Sequence, residues 1–246
     1  VKLFMFLIKY VMDNKKWYVS SAIIAVGIMV LGFFIKSGIA GFTENSRVVT
    51  VKGLAEKEVK ADKVIWPIVF KELGNDLPSL YNNVNAKNKV VVDMLTGKGI
   101  EMSEITTSVD VTDLEADSYT AERSPYRYRI SSIVTVNTKK VDTVLELLKE
   151  QTTLIQKGVP VTFSNYSYPS IQFEYTGLND IKPEMIKEAT QNARKAAEQF
   201  ANDSESKLGK IKTANQGQFS ISDRDQNTPY IKNVRVVTTI QYMLED

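Results

Sequence analysis

From Trp17 to Ile35 the chain reads WYVSSAIIAVGIMVLGFFI, nineteen residues without a charge. As an α-helix this run is about 28 Å long, close to the thickness of one hydrocarbon core. Lys15 and Lys16 stand immediately before it, and Trp17, Tyr18 and Phe34 fall where the membrane interfaces should be. The positive-inside rule therefore predicts a cytoplasmic N-terminus (residues 1–16), a transmembrane anchor (17–35) and everything after it outside. Lys36 on the far side weakens that bias without reversing it. A cleaved signal peptide is the competing reading, since Gly38-Ile39-Ala40 offers small residues at a suitable spacing. The apolar run is longer than the roughly 7 to 15 residues of an ordinary signal h-region, so an uncleaved, single-pass inner-membrane anchor is expected. The C-terminal domain is then periplasmic or extracellular.

Residues 1–11, VKLFMFLIKYV, are apolar but too short to span a membrane and are broken by Lys2 and Lys9. They suit an interfacial helix. The preferred reading is that Met12, followed by Asp-Asn-Lys-Lys and the apolar run, is the natural start.

Composition narrows the chemistry of the outer part. Of 31 Lys and Arg and 29 Asp and Glu, five and two lie in residues 1–46, which leaves the remainder near neutrality. Binding a phosphate backbone needs a concentrated positive surface, so nucleic acid is not an expected partner. No cysteine is present, which excludes disulfides, thiol catalysis, thiolate metal sites and a lipoprotein anchor. Histidine is absent too. Its loss removes the usual acid–base group near neutral pH and the commonest metal ligand, and with them every Ser-His-Asp, Cys-His or zinc mechanism.

After a short linker (36–46) the domain (47–246) alternates strand and helix patterns. Strands are expected at Val48 to Leu54, Val64 to Leu73, Ile105 to Thr112, Tyr126 to Asn137, Thr162 to Tyr175, Gln218 to Ser222 and Val234 to Met243. In the third of these Ile105, Thr107, Val109 and Val111 share one face, which is expected to be buried. In the fourth, Tyr128, Ile130, Ser132, Val134 and Val136 share a face opposite Arg127, Arg129, Ser131, Ile133 and Thr135. Three helices interleave. The first starts at N-cap Asp76 with Pro78 in its first turn, carries Leu77, Leu80, Tyr81, Val84, Val91, Met94 and Leu95 inward, and ends at Gly97 and Gly99. The second follows Thr138, turns Val141, Val144, Leu145, Leu148 and Ile155 inward and stops at Gly158. The third runs from about Pro183, capped by Asp180 or Asn179, to Leu208 and Gly209. Its inner face, Ile186, Ala189, Ala193, Ala196, Ala197, Phe200 and Leu208, is mostly alanine, which lets a helix axis approach its neighbour closely. The order predicts an α+β fold, antiparallel sheets with three packed helices, dividing near residue 158 into two lobes.

Carboxylates are the remaining acid–base candidates. Asp110, Asp113, Glu115 and Asp117 cluster on one strand and its exit loop, but lack the glycine spacing of a calcium loop and read as a solvated loop. No metal or cofactor is expected, and no catalytic residue is assigned. Tyr119, Arg123, Tyr126, Arg127, Tyr128 and Arg129 interleave aromatic and guanidinium groups. Such a mixture suits a subunit interface, or an anionic glycan held by stacking and bidentate hydrogen bonds; Tyr166, Tyr168, Pro169 and Tyr175 are expected to add to it. Gly97-Lys98-Gly99 follows a helix instead of preceding one, so it cannot cradle phosphate as a helix N-terminus does.

Several dispersed pieces occur together. Val51-Lys52-Gly53-Leu54-Ala55 is followed by Val59-Lys60-Ala61-Asp62; Asn85-Ala86 sits in the first helix; Gly99-Ile100 precedes Glu104-Ile105-Thr106-Thr107. Then come Ala193-Arg194-Lys195-Ala196-Ala197-Glu198 and Lys207-Leu208-Gly209-Lys210-Ile211. In this order the chain resembles the SIMPL-domain family of bacterial periplasmic and envelope proteins, including its periplasmic immunogenic protein branch, over about Val49 to Leu244. Leu54-Ala55 and Ala61 depart from the family's Gly-x-Gly and pre-Asp proline. The resemblance implies an α+β fold, ring-like homo-oligomers and a part in envelope stress tolerance, with no catalytic residues to carry over. Gly53, Asp62, Asn85, Gly99 and Gly209 are expected to be turn, cap or packing positions, beside Ala193 and Ala197 on the helix face. The expected function is a non-enzymatic, membrane-anchored, self-assembling envelope protein, a cyclic homo-oligomer. The alternatives are a binding module for an envelope glycan, peptide or other anionic ligand, and a weak carboxylate hydrolase.

Overall fold

The computed structural model describes residues 5, 21, 23–36, 47–116, 124–162 and 170–245. Residues 23–36 form a helix, α1, whose large apolar side chains are exposed. The rest of the expected 17–35 span, apart from helical Ser21, and the 37–46 part of the linker lie outside the described residues. Among the described residues no helix is long and apolar enough to cross a membrane.

The chain forms two compact units, and neither is divided near residue 158. One comprises Ala55–Lys187 and Gln218–Val236, the other Val1–Leu54, Glu188–Gly217 and Val237–Asp246. The first contains a five-stranded sheet, built round β2 (Lys63–Gly74). An alternating pattern on β2 meets a matching one on β4 (Tyr128–Thr138), and the two pair antiparallel without a break from Val64 opposite Thr138 to Gly74 opposite Tyr128. β3 (Ile105–Asp113) pairs antiparallel with the other side of β4, and the short β5 (Val161–Thr162) and β6 (Gln172–Glu174) pair with the other side of β2.

Period two sends Val64, Trp66, Ile68 and Phe70 of β2, with Ile130, Val134 and Val136 of β4, to one face. Two helices cover them, α2 (Leu77–Gly97) through Leu80, Val84, Val91 and Leu95, and α3 (Val141–Glu150) through Val141, Val144 and Leu147. Each large side chain so buried contributes about 1.5–3 kcal/mol. Polar side chains buried among them are paired: Asn88 of α2 accepts a 2.7 Å hydrogen bond from the Ser132 hydroxyl.

The expected ends of α2 are where the chain turns. Asp76 accepts from the Ser79 N–H at 3.0 Å, and Pro78 lies in the first turn. At the other end the Gly99 N–H reaches Thr96 O and the Ile100 N–H reaches Leu95 O, a Schellman closure that requires the positive φ of +89° found at Gly99. Leu77 and Tyr81, expected inside, are 36% and 48% exposed, because the inward stripe runs through Asn88 and not through them. The expected second helix is two, α3 and α4 (Thr152–Gln156), broken at Gln151, and Ile155 faces water. Of the expected inner face of β3, Ile105 and Val109 are half-buried while Thr107 and Val111 are exposed, since an edge strand is covered on one flank alone.

In the other sheet β9 (Ile231–Glu245) lies between β1 (Val48–Lys60) and β7 (Lys207–Gln216), antiparallel to the latter; toward its start, in the part of the chain that belongs to the first unit, β9 also pairs with β8 (Ser220–Asp223). Here α5 (Leu178–Asp203) sets Ala189, Ala193 and Ala197 against the sheet with no exposed surface. A Cβ on Gly53 of β1 would stand 1.8 Å from Ala189 O and 2.8 Å from Ala193 Cβ. The alanine face and one glycine thus bring helix backbone onto strand backbone.

Two expectations for this helix are corrected. It begins at Leu178, five residues before Pro183, whose missing N–H falls in the second turn and costs one bond. It ends at Asp203, so Leu208 and Gly209 belong to β7 and not to a helix exit. Phe200, expected inward, is 60% exposed, whereas Met185, not singled out, is buried.

Candidate functional site

The Tyr and Arg cluster singled out in the sequence lies at the end of the β3–β4 hairpin. Tyr119 and Arg123 lie outside the described residues, as do Asp117, Tyr166, Tyr168 and Pro169. Asp113 opposite Tyr128 is the last pair of the ladder, and Leu114 N–H closes it on Arg127 O at 2.7 Å. Asp113 then organises the turn. Its Oδ1 accepts from the N–H groups of Glu115 and Ala116 at 3.0 and 3.4 Å, a short-range closure typical of aspartate in turns. Its Oδ2 takes the Nε and Nη2 of Arg127 at 3.2 and 3.3 Å.

Arg127 is held from three sides. Its guanidinium lies 5.0 Å from the Tyr128 ring centroid, within cation–π range, and Glu115 approaches at 3.6 Å. Its backbone N–H donates to Asn75 Oδ1 at 2.8 Å, and Asn75 Nδ2 donates to Pro125 O at 3.5 Å. Asn75, in the β2–α2 connection, therefore pins the approach to β4; nothing in the sequence pattern marked it, because its role depends on a contact 52 positions away.

Desolvation raises the Asp113 carboxyl, but the Glu115 N–H, the Arg127 guanidinium and the Ala116 N–H outweigh it and hold it below its ordinary value. Hydrogen bonding to Asp113 in turn raises Arg127. A carboxylate kept ionised and already shared with a cation is a poor general acid.

The strand alternation divides the remaining pair. Tyr128 shares the helix-covered face with Asp113, whereas Arg129, across from Thr112 and Leu73, lies on the other; its Nη2 is 3.5 Å from Thr112 Oγ1. Tyr126 is 43% exposed. Tyr175 does not join them: it sits just after β6, which pairs with Lys63 to Ile65 at the opposite end of β2, and donates to Gly177 O at 3.0 Å. Among the described residues no group of three or more His, Cys, Asp or Glu side chains converges as a metal site would.

Three of the positions quoted from the dispersed pieces have physical duties at these contacts. Gly53 packs under α5, inside a strand and not in a turn. Asp62 accepts from the Thr176 N–H at 2.8 Å, the Thr176 hydroxyl at 3.1 Å and the Gly177 N–H at 3.0 Å, just ahead of α5. Asp62 thus holds the turn that leads into α5 from 114 positions away. Gly209 faces the side chain of Glu245 at 2.7 Å from where a Cβ would lie. Asn85 is exposed on α2, and nothing in the structure explains it.

Residues 49–241 match the model of SIMPL, described as a protein of unknown function (DUF541). The chain belongs to the SIMPL family. A comparison with curated proteins returned no match. The match begins and ends within β1 and β9, so the SIMPL domain takes in the sheets and helices of both units and excludes α1.

Proposed function

We propose that this SIMPL protein is a non-enzymatic envelope protein, tethered to the inner membrane by the segment from Trp17 to Ile35 and self-assembling as a cyclic homo-oligomer outside the cytoplasm, in the service of envelope stress tolerance. The observation that carries the tether is α1. Ile23, Ile24, Ile28, Met29, Phe33 and Phe34 are 63–69% exposed on successive sides of a helix that carries no charge before Lys36. A helix apolar all round is stable only when surrounded by lipid or protein.

Self-assembly draws support from the hairpin end, where Tyr126 is exposed while Arg127 is already neutralised by Asp113, so that the surface can be covered without burying a lone charge. The anion-binding alternative has less support, because the Arg127 guanidinium is already committed to a carboxylate.

Protease added to spheroplasts tests the topology. It is expected to digest the SIMPL domain and spare the extreme N-terminus, and a mature chain starting at Gly41 would overturn the tether. Molecular mass in mild detergent tests the assembly, which a monodisperse monomer would overturn.

A further inference from the structure

The edges of the two sheets are treated very differently. A free strand edge offers unpaired N–H and C=O groups to any other strand, and proteins blunt such edges with lysine, proline, bulges or short length. β7 carries Lys207, Lys210 and Lys212 and two register shifts against β9, one between Leu208 and Ile211 and one between Ile211 and Thr213. β1 carries Lys52, Lys57 and Lys60. β5, β6 and β8 are two, three and four residues long.

β3 lacks lysine, proline, bulges and shortness, and its charges are Asp110 and Asp113. It pairs with β4 through nine consecutive positions without a shift, and its sequence ITTSVDVTD contains no lysine, arginine, proline or glycine. Among the described strands only β4 pairs with it. Thr106, Thr107, Ser108, Asp110 and Val111 are exposed, Val111 by 47%.

We propose that the β3 edge is the self-association surface, and that it pairs antiparallel with β3 of a second copy about a two-fold axis through Val109. The occupant follows from the strand's own sequence. Full overlap of the nine residues sets Val109 opposite itself, Thr107 opposite Val111, Ser108 opposite Asp110, Thr106 opposite Thr112 and Ile105 opposite Asp113. Directly opposed residues share a face, so the half-buried Val109 and exposed Val111 meet apolar or β-branched partners on the helix-covered side. No like charges face each other. Sliding the pair by two toward the C-terminus would place Asp110 opposite Asp110, a penalty that full overlap avoids. Asp113, the other charge on the strand, is neutralised by Arg127 of its own chain.

This inference rests on the self-assembly reading and names its surface. The test uses the full-length chain in mild detergent. Thr107→Lys together with Val111→Lys changes two exposed positions and opposes lysine to lysine twice across the axis. This variant is expected to keep its circular dichroism and melting profile while its protein mass falls to that of one chain. Mixing it with the Thr107→Glu, Val111→Glu variant is expected to restore pairing. The chain has no cysteine, so the register can be read directly. Thr107→Cys and Val111→Cys chains, mixed and oxidised, are expected to cross-link to each other, and neither to itself. A wild-type multimer that survives the lysine substitutions and gives no cross-link would overturn the β3 pairing and leave self-assembly standing. A wild-type monomer would overturn both.

Discussion

Gly53 shows how one residue can set the distance between two elements. With Ala189 O 1.8 Å and Ala193 N 2.5 Å from the position of its missing Cβ, even a methyl group has no place unless α5 moves off the sheet. Overpacking ordinarily costs about 1–3 kcal/mol, and here the obstacle is helix backbone, which cannot turn aside. Gly53→Ala is therefore expected to cost at least about 3 kcal/mol in urea unfolding. Asp225 is the electrostatic counterpart. Hydrogen bonds from the Thr228 hydroxyl and from Arg224, then from the N–H groups of Thr228 and Asn227, outweigh desolvation and bring its carboxyl from 3.8 down to about 2. A depressed carboxyl stabilises the fold above its unfolded value and loses that contribution as pH falls through the folded one. Carbon-detected NMR titration should show Asp225 with a midpoint near 2. Asp225→Asn should be less stable than the parent at neutral pH, with the gap closing between about pH 4 and pH 2.

At the scale of elements, three helix ends close alike, but one uses an unsuitable residue. Gly99 and Gly158 take φ of +89° and +81° at the ends of α2 and α4; Glu205 takes +53° at the end of α5, with Glu205 N–H on Asn202 O and Ser206 N–H on Ala201 O. A side chain in that conformation costs about 1–2 kcal/mol, and Glu205 is exposed and joins no described ion pair. Glu205→Gly is expected to stabilise the protein by about 1 kcal/mol in thermal or urea unfolding, once the greater entropy of the unfolded glycine chain is subtracted. The lack of a glycine there also explains why the sequence pattern carries the end of α5 on to Leu208 and Gly209, the next glycine, and hides β7, whose lysines and exposed positions show no alternation. α2 was legible because its signals are local: Asp76, Pro78, Gly99 and a stripe of valine and leucine. β2 and β4 were legible for the same reason, through strict alternation. The start of α5 was not, because the residues just ahead of it, Thr176 and Gly177, are held by Asp62 from across the chain. The hairpin end was legible only as a group of residue types. Which tyrosines and arginines share a face depended on Asp113 ending the ladder and on Asn75 reaching Arg127, and neither contact has a sequence period.

For the whole molecule, the proposed tether and the β3 pairing constrain each other. Each chain has one β3 strand, and a two-fold contact uses the edges of both partners, so the contact closes at two chains. A larger ring would need a second, head-to-tail surface, and adding two-fold contacts to a ring gives dihedral symmetry, with half the chains inverted. Inverted chains would carry their anchors away from the membrane. The eleven residues from Lys36 to Ser46 reach at most about 36–40 Å, too little to lead an anchor back around such a particle. One membrane and one isologous strand contact are compatible only with a two-fold axis along the membrane normal. A chain of these 246 residues is thus expected to measure twice its 27.7 kDa mass after subtraction of detergent. Imaging in nanodiscs should show a single lipid belt on the side of the N-termini. A larger ring with one belt would exclude the β3 two-fold and favour a head-to-tail contact at the Tyr126 and Arg127 end of the hairpin. Belts on both faces would overturn the restriction to a single membrane.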